Sequence, residues 1–168
     1  MIRTAGEGIG VEATEAVSEQ YAAYSALAER EFPDALLQPD HFRWDAPKRS
    51  IAEMRGLLKQ TELTGDGWGG NGPEREWALW VQSIVNVKLE KLAKPQFEKF
   101  DKNWLAIYDN LPVPTWNLAE AIGFLRPLIE PCWSRDPRFD ALFIEHGPVI
   151  ARITEHGSVH FVLNDLWD

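Results

Sequence analysis

PEREWALWVQSIVNVKLEKLAKPQFEKFDKNWLAIYD, residues 73–109, reads as a helix that runs into a strand. At 100° per residue, Trp77, Val81, Ile84, Val85 and Leu92 form one stripe, with Trp80 and Leu89 at its edges. Pro73 suits a first helical turn, Glu74 and Glu76 suit its positive end, and Pro95 stops the helix. QFEKFDK then makes a further turn before Trp104–Asp109, the most hydrophobic short run in the chain and the expected centre of a sheet. Lys88 lies four residues after Ile84 and four before Leu92, in the middle of the apolar stripe, and Lys91 sits at its margin. An unpaired ammonium costs several kcal/mol to desolvate, so Lys88 needs either a path to water along its stem or a carboxylate partner.

Working outward, QTELT (60–64) has the alternation of a strand, which would make a right-handed parallel βαβ unit with NWLAIYD. Between them, GDGWGGNGP (65–73) matches G-x-G-x-x-G at Gly65, Gly67 and Gly70. Phosphate cradling is one reading of it and a plain loop is the other, since no long apolar strand precedes it. Residues 1–10 carry three glycines and read as a flexible arm, leaving 11–168 as one domain. Val11–Glu31 reads as an amphipathic helix on Ala13, Val17, Tyr21, Tyr24, Leu27 and Ala28. FPDALLQPDHFRWDAP (32–47) is a turn-rich connection with a short strand near His41–Trp44, and Ile51, Met54 and Leu57 mark a short helix. After the loop Asn110–Pro114, Asn117 and Glu120 form a capping-box pattern for a helix that Pro127 kinks or closes. Phe139–Glu145, Val149–Ile153 and Val159–Leu163 then read as an antiparallel meander. The expected fold is α/β: a single-domain mixed sheet with a central βαβ unit, flanking helices and a C-terminal antiparallel meander.

Composition narrows the function. A net charge of -9 argues against an extended nucleic-acid-coating surface, leaving room for a small local cationic site. The lone Cys132 rules out an internal disulfide and a cysteine-based zinc cluster, and suits a reducing cytoplasm. No run reaches the apolar length of a membrane span, and the N-terminus lacks the apolar core of a signal peptide. His41, His146, His156 and His160 do not fall at metal-binding spacings, and solvent-facing rings are expected. Glu15 and Glu19, four apart, read as a solvated acidic face.

The remaining chemistry is carboxylate plus lysine. Metal-assisted phosphodiester hydrolysis needs acidic oxygens to hold Mg²⁺ and a cation to stabilise charge, and Asp40, Glu62 and an inward Lys88 supply those types. Pro39-Asp40, Glu62-x-Thr64, the Ile84-x-x-x-Lys88 helix and the Trp104-Leu105 strand, over residues 11–110, resemble divergent members of the PD-(D/E)xK, or restriction-endonuclease-like, superfamily. The resemblance implies Asp40 and Glu62 as metal ligands, with Glu62 also catalytic. Lys88 would be a catalytic lysine displaced onto the helix, since Thr64 stands where lysine is usual, and Lys91 its substitute. Glu15 or Glu19 would be an additional acid, Mg²⁺ the cofactor and nucleic acid the partner. The alternative is a catalytically inactive acidic binding protein, antitoxin- or immunity-like, on the same scaffold. It would meet a basic protein partner, and exposed Trp68, Trp116 or Trp133 would favour it; a homodimer is open under either reading.

Overall fold

The computed structural model describes residues 2–4, 7–115 and 117–163. In chain order the elements are β1 (Ile2–Thr4), β2 (Glu7–Ala16), α1 (Glu19–Glu31), α2 (Ile51–Leu58), α3 (Gly72–Leu92), β3 (Lys102–Asp109), α4 (Leu118–Ile129), β4 (Ala141–His146), β5 (Val149–Thr154) and β6 (Gly157–Val162). The six strands lie side by side in sequence order. β2, β3 and β4 are mutually parallel, and β1, β5 and β6 add antiparallel edges. The mixed sheet, the parallel crossover through α3 and the C-terminal meander are those the sequence leads one to expect.

The first parallel strand is a different one. QTELT is not a strand; β3 pairs instead with β2, in the register Val11↔Trp104, Ala13↔Ala106 and Glu15↔Tyr108. The stretch read as the start of a helix, residues 11–16, therefore belongs to β2, and residues 2–4 and 7–10 of the expected arm are strand-paired. Ala13, Val17 and Tyr21 fit a helical stripe, but β3 satisfies the backbone of 11–16 in a ladder, and that tertiary pairing overrides alanine's propensity. The helix begins where its cap is, with Ser18 accepting from the Tyr21 N–H. Gln38 explains the loss of the 60–64 strand. Its buried side-chain amide accepts from Thr64 N at 2.7 Å and donates to the Glu62 carbonyl at 3.3 Å, doing for that backbone what a neighbouring strand would do. Pro39–Phe42, read as part of a strand region, is a 3-10 turn with Phe42 buried.

Alternation along the strands sorts their side chains onto two faces. Leu105 and Ile107 of β3, Leu142 and Ile144 of β4, and Ala151 and Ile153 of β5 face α3 and α4. They share one core with Trp77, Val81, Val85, Leu89 and Leu92 of α3 and with Ala121, Ile122, Leu125 and Ile129 of α4. Burying each large side chain contributes about 1.5–3 kcal/mol, so this layer is the main source of stability. α4 starts on an Asn117 cap to Glu120 N at 3.1 Å and runs through Pro127 to Ile129, since a proline in the last turn removes little of the ladder. The long excursion between β2 and α3 builds a second small core from Tyr24, Leu27, Ala28, Phe42, Met54, Leu57 and Leu58. α2 within it is opened by a Ser50–Glu53 capping box.

Candidate functional site

Lys88 does find a carboxylate, and it is Glu12. On β2, Glu12, Thr14 and Ala16 alternate toward the helical layer, which points Glu12 at the last two turns of α3. Lys88 Nζ lies 2.9 Å and Lys91 Nζ 2.8 Å from the same Glu12 oxygen, Oε1. The side chains of Lys88 and Glu12 are 18% and 17% exposed, whereas Lys91 is 45% exposed and covers the Phe97 ring at 4.9 Å. Burial, the largest influence on the Glu12 carboxyl, raises its pKa, but the hydrogen bonds from Lys91 and Lys88 together outweigh it and hold the group below the usual range. A cavity of about 310 Å³ opens beside this trio at the amino ends of β2 and β3, walled by Phe97, Phe100 and Trp104. Gly10 makes room for Phe100, whose ring atom Cδ2 would lie 2.1 Å from a Cβ at that position. Glu12 escapes a helical reading of 11–31. Strand alternation from Val11 to Ala16 is the signal that would have found it.

Asp40 and the Glu62–Thr64 stretch are neighbours, joined through Gln38, but Asp40 and Thr64 are engaged within the chain and the Glu62 side chain faces solvent. Asp40 Oδ2 accepts from Gly67 N at 2.8 Å, and a Cβ on Gly65 would stand 1.8 Å from that oxygen. The glycine-rich loop thus closes around a carboxylate of the chain itself, with Gly67 and Gly70 at positive φ. Arg43 holds the Gly67 carbonyl. Glu62 is exposed on its side chain and Thr64 Oγ1 bonds to Gln60 and His41. The positive end of α3 is likewise engaged internally. Glu74 accepts from Asn117 N, and Glu76 accepts from Trp44 N and Trp68 Nε1. Glu15 accepts from Asn110 Nδ2, and Glu19 opens α1. Among the described residues, no three His, Cys, Asp or Glu side chains are grouped to hold a metal ion.

At the carboxyl end of the sheet, the Asp109 side chain is 3% exposed and accepts from Trp77 Nε1 at 2.5 Å, His146 Nδ1 at 2.7 Å and Leu111 N at 3.2 Å. Its hydrogen bond lifts the His146 pKa above the ordinary 6.5, against burial, with help from the Asp109 charge and the Thr115 carbonyl. The ring is 31% exposed, so one of the four histidines expected to face solvent is an anchored one. The strands run in sequence order with no reversal between β2 and β4, so this end lacks the crevice that a topological switch point creates. Cys132 is buried, which pushes its thiol up and leaves it inert.

Two surfaces stand out. On the excursion, Leu36, Leu37 and Leu63 are 53, 41 and 72% exposed, on segments that the Gln38 amide ties together. A groove of about 480 Å³ runs between Glu31–Leu36 and Leu58–Thr61. The other is the sheet face turned away from α3 and α4, where Val11, Tyr108 and Val159 stay 44–52% exposed and Trp104 and Phe143 half-buried. Trp68 and Trp133 are half-buried, and Trp116 lies outside the described residues. Comparison with protein-family models, with curated proteins and with solved structures finds no match.

Proposed function

We propose that this chain is a non-catalytic acidic binding protein, antitoxin- or immunity-like in mode, that takes a basic protein partner on the excursion between β2 and α3. The observation that carries this reading is the set of three exposed leucines on irregular segments that the buried Gln38 amide holds in place. Irregular chain is ordinarily mobile and polar, and apolar side chains presented on a fixed loop are what a binding surface requires. Covering Leu36, Leu37 and Leu63 is worth on the order of 3 kcal/mol at their present exposure. Exposed Asp34 and Glu62 flank them, and the net charge of -9 steers a basic protein toward the surface. The catalytic reading asks Asp40, Glu62 and Lys88 to act on one phosphate, while Asp40 is engaged by Gly67 and both lysines by Glu12.

Affinity capture from the native host tests the proposal with the wild-type chain beside Leu63→Glu and Leu36→Glu. The expected result is one basic protein at stoichiometric yield with wild type, and at least tenfold less with either variant. Recovery of nothing by wild type, or equal recovery by the variants, overturns it. Incubation of the pure chain with nucleic acid and Mg²⁺ or Mn²⁺ is the companion experiment. Cleavage that disappears in Glu62→Ala would restore the nuclease reading.

A further inference from the structure

The cavity at the amino ends of β2 and β3 takes no part in that proposal, and its walls are fixed in advance of any ligand. Its volume of about 310 Å³ lies at the lower end of the range of small-molecule sites. Phe97, Phe100 and Trp104 wall it, and each ring has a partner that holds it. The Trp104 ring packs on Phe143 with centroids 5.1 Å apart, and Phe97 carries the Lys91 ammonium 4.9 Å from its centroid. Phe100 occupies the space that a Cβ on Gly10 would take. Asn103 ties the backbone of Phe100 on both sides, accepting from its N–H and donating to its carbonyl, each at 3.3 Å, and is itself anchored through its own N–H to Asp140 at 2.8 Å. Rings held in this way lose little freedom when a flat molecule packs against them.

The polar side of the cavity is Glu12, and its two oxygens are not equivalent. Lys88 and Lys91 both donate to Oε1, at 2.9 and 2.8 Å, and among the described residues no hydrogen bond reaches Oε2. The Glu12 side chain is 17% exposed and lines the cavity, so the cavity is where Oε2 can find a donor. Other polar groups of the lining do not share that position. Asn103 is engaged by Phe100, and Gln96 and Glu98 are exposed to solvent. Charge then selects among donors. Two ammonium groups already meet the Glu12 charge, so a cationic ligand would bring a third positive charge to one carboxylate, and an anionic ligand would set its charge against Oε2. A neutral N–H or O–H meets neither repulsion and still makes a charge-assisted hydrogen bond.

We infer that this cavity is a binding site for a small neutral aromatic molecule with one N–H or O–H, an indole or a phenol in chemical type, which donates to Glu12 Oε2 and sets its rings against Phe97, Phe100 and Trp104. Aromatic walls favour an aromatic body through offset and edge contacts. The lysine pair acts as a brace. By holding Oε1 it directs the other oxygen, and its hydrogen bonds keep the carboxyl ionised against the burial that would raise its pKa.

Isothermal titration calorimetry on the full chain, with matched pairs of probes, tests the inference. Indole and 2-naphthol carry the donor; 1-methylindole and 2-methoxynaphthalene keep the rings and lose it. At least one donor probe is expected to saturate a single site below about 1 mM, with its donor-free counterpart at least about tenfold weaker, as follows when a hydrogen bond to a charged group is left unmade. Tryptamine and indole-3-acetate, which add a cation and an anion to the indole ring, are expected to bind more weakly than indole. Val11→Trp fills the cavity from a position 44% exposed and removes binding. In Glu12→Gln the lysines keep the amide oxygen, so an NH2 replaces the free acceptor and each donor probe falls to within about threefold of its donor-free counterpart. Circular-dichroism melting accompanies both variants, and Val11→Trp carries the test if Glu12→Gln fails to fold. Failure of both donor probes to saturate overturns the inference. So does equal binding of the donor-free probes, tighter binding of either charged probe, or binding that survives Val11→Trp.

Discussion

The Asp109–His146 pair gives a stability term whose pH dependence has a definite sign. Asp109 is buried at the end of β3, and its carboxylate gathers the indole N–H of Trp77, the ring of His146 and the N–H of Leu111. The perturbation is a double-mutant cycle of Asp109→Asn and His146→Gln, run by denaturant unfolding at about pH 5 and pH 9. At pH 5 the imidazolium faces a carboxylate at 2.7 Å, and at pH 9 a neutral ring keeps only the hydrogen bond. One partner is buried and the other 31% exposed, so the ionic part lies between two measured ranges. Exposed pairs give about 0.2–1 kcal/mol and broken buried pairs about 3–5 kcal/mol, which places it near 1–2 kcal/mol. The folded pKa of His146 is raised above 6.5 by its hydrogen bond to Asp109. Its contribution is therefore complete below the unfolded pKa and is lost as pH climbs through the folded one. The coupling energy should be larger at pH 5 than at pH 9 by about 1–2 kcal/mol. Equal coupling at the two pH values, or stronger coupling at pH 9, refutes the assignment of the ring as a cationic partner of Asp109.

Two further outcomes are expected from unfolding measurements. Glu12→Ala strips two ammonium groups of their shared acceptor and should cost about 2–3 kcal/mol, whereas Lys88→Met leaves Lys91 in place and should cost under about 1 kcal/mol; the reverse order would mean that the lysine, not the carboxylate, is the keystone. Gly65→Ala drives a methyl into the Asp40 carboxylate and should cost about 2 kcal/mol, most of it absent in an Asp40→Ala background; additive losses would show that the loop does not close on Asp40.

The parts of this fold that were legible in the sequence are those whose signal is local. α3, β3, α4 and the meander each carry a periodicity, a cap or a turn that a short window contains. β2 was not legible because its ladder partner lies about ninety residues away, and its alanines and glutamates suit a helix when β3 is out of view. The error propagated to the site. A helical reading of 11–16 gives Glu12 no distinguishing position, and the resemblance in spacing draws the inward lysine to Asp40 and Glu62 instead. Lys88 on an apolar stripe needs a path to water or a carboxylate partner, and the fold supplies the carboxylate from β2.

The open sheet face was hidden for a different reason. Trp104, Tyr108 and Phe143 are the residue types of a buried strand, and no local rule separates the face that α3 and α4 cover from the face they leave. Only the register does so, because it sets Ala13 beside Ala106 and Ala141 beside Trp104 in rows that a single strand cannot display. Once the rows are known, the 5.1 Å approach of the Trp104 and Phe143 rings is explained, because the two residues stand diagonally across β3 and β4 and their stacked rings leave Ala141 only 5% exposed.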